Sequence, residues 1–103
     1  MAFSCTADTP SGVRKGTNSI FGHLALSTGT FTAGGDTKGT LSTTYTGLSR
    51  VIACGINVDT GTVTSEVRSK PNVDMDGTAA LGAVGILAMA TDNVGTWWAI
   101  GVP

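Results

Sequence analysis

Asn72, Asp74 and Asp76 stand at alternate positions with Gly77 after them, a spacing in which side-chain oxygens and a sharp turn can gather around a calcium ion. The match is partial. The acidic residue that would complete the coordination falls on Ala83, and no helical pattern flanks the loop, which excludes an EF-hand. These three residues are weak candidates for a looser metal site. A solvated turn is the simpler reading, and the expectation is no metal and no cofactor.

Two other segments carry residue types that do chemistry. Gly34-Gly35-Asp36-Thr37-Lys38-Gly39-Thr40 has the composition of a phosphate loop, but the lysine precedes the second glycine and no helix pattern follows to supply anion-binding amides. His23 is the one histidine of the chain, and no nucleophile or orienting group is singled out around it. Cys5 and Cys54 are the only cysteines, which excludes a zinc site of the usual Cys/His spacing. Cys54 lies in an apolar run and reads as a small buried hydrophobe, whereas Cys5 lies in a polar segment. No catalytic constellation emerges, and the expectation is a protein that is not an enzyme.

The elements that would position these residues are strands. Residues 18–27 alternate, with the even face (Ile20, Gly22, Leu24, Leu26) the more apolar, and 28–32 continue that strand or open another. Ala33-Gly34-Gly35-Asp36 is a turn, and 37–45 suit a short or edge strand. Residues 48–58 make the clearest core strand. Asp59-Thr60-Gly61 then reads as a three-residue hairpin loop leading into 62–69, and Lys70-Pro71-Asn72 as the end of that second strand. The run 79–90 suits helix by its alanines and strand by its glycines, with strand favoured from about Val84. A turn at 91–95 leads to a last strand over 96–102, and no helix is required. Residues 1–17, with Phe3 their only large apolar residue, read as an extended N-terminal arm. The fold class is thus all-β, a small antiparallel β-sandwich or β-barrel formed by a single domain over 18–103.

The doublet Trp97-Trp98 sits within the last strand, where successive side chains point to opposite faces, so one indole meets the core and the other needs separate cover. Ile20-Phe21, Val51-Ile52 and Ile86-Leu87 repeat the pattern. The chain is 13% charged with a formal net charge of -1, well below the roughly 25% charged residues of ordinary soluble domains. Apolar sheet faces with few ions imply burial by other chains. Arg14-Lys15 is the only adjacent basic pair, so direct nucleic-acid binding is not expected. No signal peptide is visible in residues 1–9, and the longest apolar stretch is too short to span a bilayer, so the chain is expected to be made in a cytosol without membrane association.

The order of GTNSIFGHLAL from Gly16, STGTFTAGGD from Ser27, GLSRVIACGINV from Gly47 and GTWWAIGV from Gly95 resembles small β-rich virion proteins of tailed bacteriophages that decorate or cement the head. The resemblance spans most of the chain as a pattern of order and spacing. It implies a structural protein made in the host bacterial cytoplasm and placed on the capsid surface of the virion. Its implied partners are the major capsid protein and itself, as a homodimer or homotrimer. The aromatic anchors expected at such interfaces are Phe3, Phe21, Trp97 and Trp98. The alternatives are another virion component of the neck, tail or fibre base, a small ligand-binding β-barrel, and a metal-dependent module using Asp74 and Asp76.

Overall fold

A computed structural model describes residues 2–8, 19–20, 24–62 and 66–103, with 19–20 described by backbone alone. Two antiparallel sheets pack face to face and neither closes on itself, so the fold is an all-β sandwich and not a barrel. The larger sheet contains β1 (Ser4–Ala7), β2 (Ser19–Ile20), β3 (Leu24–Thr32), β5 (Arg50–Thr60) and β8 (Val94–Val102), in the order β1-β3-β8-β5 with β2 beside β3. The smaller contains β4 (Gly39–Leu41), β6 (Arg68–Val73) and β7 (Ala79–Leu87), ordered β4-β7-β6. A single helical turn, α1 (Thr43–Thr46), bridges them.

Trp97 and Phe31 from the larger sheet meet Leu41, Val84 and Ile86 from the smaller one, with Leu48 and Met89 completing the core. Trp97 finds room because Gly29 lies directly opposite on β3, and its Nε1 donates to the Thr6 carbonyl at 3.0 Å. The buried face of β3 is therefore its odd face, Ala25, Ser27, Gly29 and Phe31. The more apolar even face, through Leu24 and Leu26, is the outer one. Small residues line the inner side because an indole needs the space, and Leu24 and Leu26 are turned outward.

Polar pins tie the sheets together through the core. The Ser27 hydroxyl donates to the Thr46 carbonyl, and Thr46 Oγ1 donates to the Gly82 carbonyl at 2.6 Å. Asn72, at φ 60, accepts from Val51 N–H at 2.8 Å and donates to the Val51 carbonyl at 2.8 Å. Its Oδ1 also accepts from Gly82 N–H at 3.1 Å. At the opposite end Asn93 is fully buried, accepting from Ala90 N–H and donating to the Thr62 carbonyl, each at 2.9 Å.

Several sequence expectations are corrected here. β5 and β6 do not form a hairpin: β5 pairs with β8 and β6 with β7, so the chain changes sheets after Asp59-Thr60-Gly61. Pro71 does not end its strand, because β6 is an edge strand on which a missing N–H costs no ladder bond. Residues 18–27 are not one strand, since Ser19 and Ile20 pair antiparallel with Ala25 and Leu24. Within the expected strand over 37–45 only β4 is extended, and α1 follows, capped by Gly47 in the left-handed conformation. Part of the N-terminal arm is sheet, with Ser4–Ala7 hydrogen-bonded along β3, and 9–17 lie outside the described residues. The ambiguous run 79–90 is strand over Ala79–Leu87.

Candidate interaction surface

Directly opposed residues of an antiparallel ladder share a face, so the register of β8 with its neighbours defines the outer side of the large sheet. Ile100 stands between Leu26 and Ala53, and Trp98 between Thr28 and Gly55, with Leu24 and Val102 on the same face at that end. These residues are half-buried, and none is charged. Toward the other end the same face turns hydroxylic, through Thr96 between Thr30 and Asn57, with Thr6 beyond Thr30. Thr6 and Thr30 share a hydroxyl hydrogen bond of 2.6 Å. Arg50, opposite Val102, and Asp59, at the register shift beyond Val58, are the charged residues of β5, and β8 has none.

The two indoles part as their neighbours in sequence require. Trp97 is 1% exposed and belongs to the core, which removes it from the expected interface anchors. Trp98 lies outside, covering Gly55, where a β-carbon would stand 2.5 Å from its Nε1. Phe3 is not free for a neighbour either: its ring packs on this chain's own core over Gly39, and its N–H bonds to Asp36 Oδ2 at 2.8 Å. Phe21 and His23 lie outside the described residues. The doublets Val51-Ile52 and Ile86-Leu87 divide like the tryptophans, with Val51 and Ile86 buried and Ile52 and Leu87 more exposed.

A second exposed apolar set lies on β5, β7 and β8. Ile52 (49% exposed) occupies the register shift between Val51 and Ala53, Val58 (37%) lies near the far end of β5, and Val94 (39%) opposes Thr60. Leu81 (68%) is exposed on β7. A strict period of two places Ile52 in the core, and only the bulge turns it out. No residue type in the sequence marks that bulge.

Asn72, Asp74 and Asp76 do not converge. Asn72 serves the Val51 clamp, Asp74 Oδ1 accepts from the N–H groups of Asp76 and Thr78 at 2.9 Å each, and Asp76 pairs with Lys38 at 3.0 Å. Asp74 thereby closes the turn between β6 and β7 as an Asx cap. Among the described residues no three His, Cys, Asp or Glu side chains are gathered as metal ligands. Cys5 and Cys54 are free and half-buried, and burial raises both thiol pKa values against smaller lowering by hydrogen bonds to Tyr45 and Ser69 respectively. β3 and β8 lie between them in the sheet, about 14 Å at ordinary strand spacing, well beyond disulfide reach. No helix among the described residues is long and apolar enough to cross a membrane.

In comparisons with protein-family models, curated proteins and solved structures, none matched this chain. The outer face of the large sheet and the β5 edge are therefore interpreted from their own chemistry.

Proposed function

We propose that the protein is a non-enzymatic structural component of a tailed-phage virion, decorating and stabilising the capsid by binding the outer surface of the major capsid protein shell. The observation that carries this reading is the outer face of the large sheet, where Leu24, Leu26, Trp98, Ile100 and Val102 form a half-exposed apolar patch without an internal charge. An ordinary antiparallel sheet shows polar side chains on its solvent side. Here that side holds an aromatic residue at the middle of the central strand, the kind of residue that dominates interface energetics. The hydroxylic end of the same face, around Thr30 and Thr96, offers a polar rim.

The mechanism is area multiplied by copy number. Each contact would bury on the order of 1,000 Å², and a subunit held by one neighbour meets the next at high effective concentration. The test is co-sedimentation of the purified chain with emptied phage heads, with copies per particle measured by densitometry. Wild-type protein should bind in many copies, and Trp98→Ser should weaken binding at least about tenfold while the fold survives. Binding unchanged by Trp98→Ser, or lost together with the fold, would overturn the reading. A few copies per particle would move the protein to the neck, tail or fibre base.

A further inference from the structure

We infer that β5 is the strand through which two copies of this chain associate, pairing antiparallel about a two-fold axis so that the large sheet runs unbroken from one copy into the other. β5 is eleven residues long and lies at the edge of its sheet, hydrogen-bonded among the described residues to no strand but β8. Sheet edges are normally guarded against such pairing by brevity, lysine, proline or a bulge. The other edges follow that rule: β1 has four residues, β4 has three, and β6 carries Lys70 and Pro71. β5 has neither lysine nor proline; its guards are the bulge at Ile52, a register shift at its far end, and β6, which lies against it where Asn72 clamps Val51 and Ser69 meets the Cys54 thiol.

The ladder shows which backbone groups are presented. Val51 opposes Gly101 but turns its N–H and C=O to Asn72, away from β8. Alternation along β8 then makes Ala53, Gly55 and Asn57 the residues bonded to it and directs the N–H and C=O groups of Cys54, Ile56 and Val58 away from it. Two-fold pairing centred on Gly55 joins Cys54 of each copy to Ile56 of the other.

Side chains favour the same partner. Ile52 and Val58, two of the exposed large apolar residues, flank the paired stretch. Arg50 at the start of β5 and Asp59 near its end are its only charged side chains, so reversing the strand in a second copy brings each Arg50 beside the opposite Asp59. Trp98 leans across Gly55, so the axis would carry an indole on each side and join the two outer faces.

This deepens the proposed function by naming the copy-to-copy contact, and it rests on that reading only for the expectation of a homo-oligomer. Sedimentation equilibrium of the full chain, without phage heads, keeps the two separable, because shell binding is read in a different experiment. Wild-type protein should reach twice the 10.3 kDa of one chain. Arg50→Glu and Asp59→Arg should each weaken association by about tenfold or more, and the two together should restore it. Val58→Lys should also weaken it, with Leu81→Lys on the other sheet as the unaffected control, and circular dichroism should confirm the fold of each variant. A wild-type monomer at ~100 µM, far above the dissociation constants of specific dimers, would overturn the inference. So would a double variant no better than the single ones, or equal damage from Leu81→Lys.

Discussion

The carboxamide of Asn72 on β6 closes on Val51 of β5 with two hydrogen bonds of 2.8 Å, one to the N–H and one from the side chain to the carbonyl. It supplies, from a side chain, what a neighbouring strand would otherwise supply, and it does so between the two sheets. Asn is among the few residues that tolerate its φ of 60. Asn72→Ala should cost about 4 kcal/mol, combining three lost hydrogen bonds, two with Val51 and one from Gly82 N–H, at roughly 1 kcal/mol each with about 1 kcal/mol of left-handed strain. Asn72→Gly, free of that strain, should cost about 3 kcal/mol. Urea denaturation of the three proteins checks the order.

The two indoles give a contrast between positions that look alike in sequence. A β-carbon on Gly29 would strike both Trp97 Nε1 at 2.6 Å and the Thr6 carbonyl, neither of which can yield inside the core. One on Gly55 would first meet the side chain of Trp98, which can swing toward solvent. Gly29→Ala should therefore destabilise by about 3 kcal/mol or more, and Gly55→Ala by about 1 kcal/mol. Gly55→Ala should also raise acrylamide quenching of tryptophan fluorescence, as Trp98 leaves its seat.

Acid stability should depend on Asp92. Its exposed carboxylate accepts from Thr62 N–H at 2.9 Å and Thr62 Oγ1 at 3.0 Å, and the backbone bond above all holds its pKa below the ordinary 3.8. A depressed folded-state pKa contributes stability that is present above the unfolded value and lost as pH falls through the folded one. Asp92→Asn should therefore shallow the loss of stability below about pH 4. Thermal melts from pH 6 to pH 2 measure this, and identical slopes for the two proteins would contradict it.

Both thiols should be slow to react in the native state. Burial raises the pKa values of Cys5 and Cys54, and the thiolate is the reactive form. A chromogenic disulfide reagent at pH 8 should titrate the native protein slowly and both cysteines at once in denaturant. Mild oxidation should form no bond within a chain, because two strands separate the sulfurs in the sheet.

Strand character was legible wherever apolar residues ran together, as in β5, β7 and β8. Pairing was not. Asp59-Thr60-Gly61 carries hairpin chemistry, yet turn residues describe a change of direction and not the sheet that the next strand joins. Pro71 signals a stop only where a donor is needed. Apolar content alone does not mark the inner face of β3, because Gly29 and Ser27 are buried to make room for Trp97 and to reach Thr46. The doublet shows that one indole faces outward, and only the place of Trp97 opposite Gly29 in the core makes it Trp98. That Ile52 and not Val51 is the outward member of its doublet was not legible, since a bulge shifts the alternation without leaving a mark on residue type.

β8 joins β3 to β5, and those two strands pair with each other nowhere in the described structure. Until β8 docks, each keeps a bare apolar border, and the contacts that cover it span most of the chain. Renaturation is consequently a contest between slow long-range closure and collision with other molecules. Recovery of native protein from denaturant should fall as concentration rises, and a synthetic peptide of Val94–Val102 added in excess should capture the unfinished sheet before it clumps.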